Sequence, residues 1–333
     1  MNGTTQEAGD ARPVLALSGG IGGSKLALGL ARVLSPGSLT VVANTGDDFE
    51  HLGLHISPDI DTVTYTLAGV QNPETGWGRA EETWSFMAAL GELGGEMWFQ
   101  LGDRDLAVHV ERTRRLRAGE PLSAITADIA RAFGVDSIIV PMTDGRVRTR
   151  VITRDGPLDF QRYFVERRCE PRVTGFVFDG AAEARPHPDI LAAIGNPQLR
   201  AIVVCPSNPY ISVDPILALP GMRAAIASSH APVIAVSPII GNEAVKGPTA
   251  KMMAELGRSV DVLTVAEHYA GMLDGYVIDT VDAAHASSLD IPVVACPTLM
   301  RSLADRENLA KAVLAFADRL ARDGKPPEQD ARP

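Results

Sequence analysis

The sequence predicts an α/β fold, with a Rossmann-like, mostly parallel sheet, helices on both faces and a smaller α+β subdomain. Three observations carry this expectation. Apolar runs of strand length alternate with helix-period segments along nearly the whole chain. The runs are near-continuous stretches of Val, Ile, Leu and Ala, as strands buried on both faces require. Aromatic residues make up only 5% of the chain against 45% hydrophobic residues, so the core is built of small aliphatic side chains.

The strand-like runs are Val14–Leu17, Leu39–Ala43, Ile138–Pro141, Ala201–Cys205, Val233–Val236, Val260–Thr264, Tyr276–Ile278 and Val293–Ala295. Between them lie helix-period segments at Ser24–Leu34, Glu82–Leu93, Leu106–Ala118, Leu122–Phe133, Pro215–Ser229, Thr249–Leu256 and Arg306–Ala321. Residues 143–190 break the alternation with short β-branched runs (Val147–Thr153, Val173–Phe178), many charges and only a weak helix, which reads as an inserted α+β subdomain. The core is therefore expected at 13–142 and 191–322. The polar ends, 1–12 and 323–333, read as disordered tails.

The formal net charge of −10 argues against non-specific binding of nucleic acid or an anionic membrane surface. It leaves a nucleotide ligand open, because helix N-termini and local Lys/Arg clusters can hold phosphates. Cys169, Cys205 and Cys296 stand far apart with no metal-binding spacing, as buried small side chains in a reducing compartment would. The N-terminal segment lacks an apolar signal core, and no apolar run reaches the roughly 18 residues of a membrane span. A cytoplasmic protein is expected.

Ligands of open parallel sheets sit beyond the carboxyl ends of the strands, so motifs following strands matter most. The first is Ser18-Gly19-Gly20-Ile21-Gly22-Gly23-Ser24-Lys25. Its glycines admit a phosphate or simply make a tight turn. It is not a P-loop, since Ser24 and Leu26 flank Lys25 where Gly and Ser/Thr are required, nor a clean dinucleotide fingerprint. The second, Asn44-Thr45-Gly46-Asp47-Asp48, offers two carboxylates to Mg²⁺, a turn or a ribose hydroxyl. In the third, Ser57-Pro58-Asp59-Ile60-Asp61-Thr62, Ser57 and Pro58 look like an N-cap and first helical residue. Asp59 and Asp61 would then lie about 200° apart around the axis. Only one can face a given ligand, although both complement the helix dipole.

The fourth motif, Trp98-Phe99-Gln100-Leu101-Gly102-Asp103-Arg104-Asp105, opens a helix that Asp103 or Asp105 could cap. Arg104 suits a phosphate or an internal carboxylate. Arg112, Arg114, Arg115 and Arg117 read as a solvated face of that helix, and His109 as structural. Ser207 and Asn208 follow the Ala201–Cys205 run, and Ser237–Asn242 with Lys246 follow Val233–Val236. These residues are further candidates for base or phosphate contacts.

The segments SGGIGGSKL, NTGDD, GLHISPDIDTVTYTLAG, GWGRAEETW, WFQLGDRDLAVH, PSNPYISVDPIL and SPIIGNEAVKGP, in this order, resemble the 2-phospho-L-lactate transferase (CofD) family from about Val14 to Arg301. The resemblance implies a transferase of coenzyme F420 biosynthesis with a Rossmann-like fold, usually a homodimer. Its donor is a guanosine diphosphate conjugate of an organic acid (2-phospho-L-lactate, or phosphoenolpyruvate or 3-phosphoglycerate). Its acceptor is a ribityl hydroxyl of the deazaflavin Fo, and (dehydro)F420-0 and GMP are formed with Mg²⁺. It implies Asp48 and Asp61 as catalytic metal ligands and Asp61 with Gln100 at the deazaflavin. It places Gly20, Gly22, Lys25, Ser207, Asn208 and Gly241 around the nucleotide, and turns Asp59 elsewhere. The competing readings are a nicotinamide dehydrogenase, which needs a better glycine fingerprint, and a non-catalytic nucleotide sensor on the same fold.

Overall fold

The computed structural model describes residues 10–324. Its centre is a seven-stranded sheet in the order Val293–Ala295, Gly275–Ile278, Val233–Val236, Ala201–Val204, Val14–Ser18, Leu39–Ala43, Ile138–Pro141. Every neighbouring pair is parallel. Numbered in chain order, the strands run 7-6-5-4-1-2-3, the doubly wound dinucleotide-binding order with one strand added. The order reverses between Val14–Ser18 and Ala201–Val204, and the crevice for a ligand opens there.

Alternation along the strands divides the apolar side chains between two buried clusters. Leu15, Leu17, Ile202, Val204 and Val233 face one, against Ile216, Met222, Ile226, Met252, Val262 and Val265. Val14, Ala16, Val203, Ile234 and Val236 face the other, against Leu26 and Leu30 of the Gly20–Val33 helix and Leu309, Leu314 and Phe316 of the Leu303–Asp323 helix. That last helix begins with a capping box between Ser302 and Asp305.

The segment after residue 143 forms a three-stranded antiparallel sheet, Gly156–Asp159, Arg148–Thr153 and Val173–Asp179. Val147, Val151, Phe160, Tyr163 and Val173 from this segment join the same buried cluster as Leu15 and Leu17. Its packing is therefore continuous with the central sheet.

Two expected elements differ. Val260–Thr264 is not a strand: Asp261 caps a helix, Val262–His268, by accepting the Thr264 N–H at 2.7 Å. Val262, Val265 and Ala266 then fall on one buried stripe at helical spacing. The expected Pro215–Ser229 helix divides into Asp214–Leu217 and Met222–Ala227, because Pro220 and Gly221 (φ +77°) interrupt it. At the N-terminus, Asp10 and Arg12 are fixed by ion pairs with Arg200 and Asp318. The remainder of the first expected tail, and the second from residue 325, lie outside the described residues. Among the described residues no helix is long and apolar enough to cross a membrane.

Candidate functional site

A cavity of about 520 Å³ opens at the carboxyl ends of the strands, at the reversal point of the sheet. One wall is the loop leaving Val14–Ser18. Gly20 takes φ +64° and starts the helix, a conformation that needs glycine here. Gly22 has a different reason: a Cβ would stand 2.3 Å from the Pro206 carbonyl oxygen, so glycine lets the first and fourth strand ends meet. Ser207 ties them together, its hydroxyl donating to Gly19 O at 2.8 Å and accepting from Gly19 N at 3.2 Å. Lys25 lines the cavity, and its ammonium donates to Met300 O at 3.1 Å. Burial lowers its pKa, with Arg306 and Lys246 adding repulsion.

Asn208 also lines the cavity while its side-chain oxygen caps the turn Pro209–Val213 through Tyr210 N at 3.0 Å. Gly241 (φ +58°) stands one residue beyond the lining, its N–H held by the Asp282 carboxylate at 3.0 and 3.2 Å.

The floor is acidic. Asp47 and Asp59 line the cavity, and Asp48 is buried behind them. Asn44, fully buried, organises the group: its amide donates to Asp59 Oδ2 at 2.9 Å and to Ile211 O at 3.2 Å, and its oxygen accepts from Gly46 N at 2.8 Å. The other Asp59 oxygen accepts the Gly20 N–H at 2.7 Å, so a carboxylate already occupies the first donor of the glycine loop. Asp48 Oδ2 accepts from Ser57 Oγ at 2.9 Å and lies 3.0 Å from His55 Nε2. Ser57 thus turns its hydroxyl to Asp48 instead of capping the Pro58–Ala68 helix.

Burial pushes the Asp59 carboxyl up to about 6. Burial and then the neighbouring Asp59 drive Asp47 well above the carboxylate range. One oxygen of Asp47 and one of Asp48 are buried without a hydrogen-bond partner. Unpartnered carboxylate oxygens crowded in a buried pocket suit a hard divalent cation. Magnesium in particular is held by one or two carboxylates plus phosphate oxygens and water.

Asp59 and Asp61 exchange the expected positions. The helix turns them to opposite sides, and Asp59 is the one facing the cavity. Asp61 is off the lining and buried against Arg112, which donates from both terminal nitrogens, one at 3.0 Å. His109 lies 3.7 Å from Asp61 and 3.3 Å from Asp105, and Tyr65 donates to Asp105 at 2.6 Å. Asp61, Asp105 and His109 have metal-like proximity. The fully buried Arg112 guanidinium already supplies the positive charge there, so this cluster is an internal ion-pair network. The arginines of the helix Asp103–Arg117 are accordingly not one solvated face, since Arg112 points inward.

The motif Gly102–Asp105 and the Glu82–Trp84 stretch cap each other's helices. Asp103 accepts Ser85 N and Phe86 N, both at 3.0 Å, at the start of Ser85–Glu92. Glu82 accepts Arg104 N and Asp105 N, both at 2.8 Å, at the start of Asp103–Arg117. Arg104 points to the exposed Glu81 at 3.6 Å, not to the cavity.

The lining also includes an apolar group, Phe99, Phe160, Phe164 and Val165, together with Gln100 and Gln161. Phe160 and Phe164 stack with centroids 5.4 Å apart. Gln100 donates to Met97 O at 2.9 Å. No sequence motif marks Phe160, Gln161, Phe164 and Val165, which reach the cavity from the inserted segment, or Thr298–Met300 beyond the last strand. Asn44 was visible only as the first letter of its motif.

A family model described as "2-phospho-L-lactate transferase CofD" matches residues 14–318. The chain is 41% identical to a phosphoenolpyruvate transferase of Streptomyces coelicolor over 92% of its own length and 98% of the relative's. It is 36% identical to a 2-phospho-L-lactate transferase of Methanocaldococcus jannaschii, covering 92% of this chain and 99% of that one. In fold it is similar to a UPF0052 family protein from Bacillus halodurans, with TM-score 0.63 and 15% identity over 92% of this chain and 99% of that one. With a family model matched over nearly its whole length and relatives at 36–41% identity covered almost end to end, the chain belongs to the 2-phospho-L-lactate transferase (CofD) family.

Proposed function

We propose that this protein moves a phospho-organic acid from its guanosine diphosphate conjugate to the ribityl hydroxyl of the deazaflavin Fo, yielding (dehydro)F420-0 and GMP in a Mg²⁺-dependent step of coenzyme F420 biosynthesis. The observation that carries the reading is a cavity at the strand ends lined together by Gly20, Gly22, Lys25 and Lys246, by Phe99, Phe160 and Phe164, and by Asp47 and Asp59.

Ile21 and Gly22 of the glycine loop, with Lys25 and Lys246, bind the donor phosphates, while Asp59 holds the Gly20 N–H and Ser207 fixes the loop against the fourth strand. Phe99, Gln100, Phe160 and Phe164 receive the flat acceptor and exclude water from it. Asp47 and Asp59 would hold the metal, with Asp48 backing them, and the ion would supply neutralisation of phosphate charge. The atoms balance: the acceptor oxygen forms a bond to the acid-bearing phosphorus, the bond to the bridging oxygen of GMP breaks, and the hydroxyl proton passes to a carboxylate. Asp61 supports this floor from behind through Arg112. Assembly as a homodimer belongs to the same reading.

The test offers the purified protein Fo, Mg²⁺ and each of the three guanosine diphosphate conjugates in turn, with products read by mass. One conjugate is expected to give GMP and the corresponding F420-0 species in equal amounts. Absence of product with all three overturns the reading, and hydride transfer with NAD(P)H in their place favours the dehydrogenase.

A further inference from the structure

Trp77 lines the cavity, yet 49% of its surface is exposed. The indole thus belongs to the cavity lining while much of its apolar face stays open, as a surface for stacking a flat ring requires. The loop is rigid. Asn72 N donates to Gly78 O and Gly76 N to Asn72 O, both at 3.0 Å. Asn72 Oδ1 accepts from Glu74 N at 2.9 Å, and Gln71 donates to Gly76 O. Thr75 Oγ1 donates to the Trp77 carbonyl at 2.6 Å, and Gln71 and Arg79 close the base as a β-bridge.

The loop is also docked against the glycine and lysine wall of the cavity. A Cβ on Gly76 would lie 3.1 Å from Ile21 of the glycine loop and 3.3 Å from Lys246 Nζ. Lys246 Nζ in turn donates to Thr75 O at 3.3 Å. Trp98, by contrast, is covered by Arg162, whose guanidinium lies 4.4 Å from its ring centroid.

We propose that Trp77 is a stacking platform for the planar heterocycle of a substrate, with Lys246 clasping the loop to the phosphate side of the same ligand. The chemistry required is a flat aromatic ring next to a polyanion or hydroxylated chain. Guanine of the donor and the deazaflavin ring of the acceptor both have it. This inference rests on the proposed transfer reaction for the identity of the ligands, not for the existence of the platform.

Calorimetric titration of the whole protein with GDP plus Mg²⁺, and separately with Fo, tests it in wild type, Trp77→Ala and Trp77→Phe. Loss of base–aromatic stacking is expected to weaken one ligand about ten- to a hundredfold in Trp77→Ala. Trp77→Phe should retain most of the affinity, and thermal stability should stay near wild type because the side chain is half exposed. Selective weakening of GDP assigns guanine; selective weakening of Fo assigns the deazaflavin. Unchanged affinity for both ligands in Trp77→Ala overturns the proposal. The wild-type product assay, run alongside, separates the two failures. Product with a binding-neutral Trp77→Ala sinks only the platform, whereas no product with a Trp77-dependent ligand sinks only the transfer reaction.

Discussion

Arg112 holds Asp61 in a fully buried ion pair, while Asp59, two residues earlier on the same helix, accepts the Gly20 N–H at 2.7 Å on the cavity side. One helix therefore turns one carboxylate to a buried arginine and the other to the cavity. Removing one partner of a buried pair leaves an uncompensated charge, at a cost of about 3–5 kcal/mol. Arg112→Leu should show that loss in urea unfolding. The double change Asp61→Leu with Arg112→Leu should recover much of it. An Arg112→Leu protein as stable as wild type would remove the ion pair from the structural role.

The carboxylate floor gives a pH dependence of definite sign. Asp59 stands at about 6 in the folded protein against 3.8 in the open chain, so the folded state binds the proton more tightly. Its contribution to stability is best below about pH 4 and declines as pH rises toward 6. The stability of Asp59→Asn relative to wild type should therefore rise between about pH 4 and 7, by an amount of order 2 kcal/mol. Thermal melts without divalent metal measure this. Mg²⁺ should raise the wild-type melting temperature more at neutral pH than at about pH 4, and should do less for Asp59→Asn.

Much of this was legible in the sequence. Strands buried on both faces announce themselves as continuous aliphatic runs, and Leu39–Ala43, Ile138–Pro141, Val233–Val236 and Val293–Ala295 have the expected limits. The failure at Val260–Thr264 came from weighing the apolar run above Asp261, whose side chain caps a helix. The carboxylates illustrate a different boundary. Helical geometry says that Asp59 and Asp61 diverge, but which of them faces the cavity depends on Arg112, 51 residues beyond Asp61 in a run of arginines that looks solvated. Phe160 and Gln161 were invisible because the packing of the inserted segment on the sheet is set by side chains such as Val147, Val151 and Tyr163, not by a local motif.

Gly22→Ala should separate the first and fourth strand ends, since its Cβ would sit 2.3 Å from Pro206 O. Forced overpacking of this kind costs about 1–3 kcal/mol. A lowered melting temperature together with a raised KM for the nucleotide donor is expected. Unchanged values of both would show that the loop yields freely.

Ser207→Ala removes the hydroxyl that both donates to and accepts from Gly19. Leaving buried backbone groups unpaired costs about 1–3 kcal/mol. Donor KM should rise with little change in the KM for Fo, as steady-state kinetics with each substrate varied would reveal. An effect confined to Fo would place the loop on the other side of the reaction.

The most direct measurement compares product formation by Asp59→Asn and Asp61→Asn, each checked for folding by its melt. With Asp59 as the cavity-facing carboxylate, Asp59→Asn should lose turnover by about a hundredfold or more while remaining folded. Asp61→Asn should be marked first by lost stability. Wild-type turnover in Asp59→Asn, with turnover abolished in a fully stable Asp61→Asn, would contradict the account.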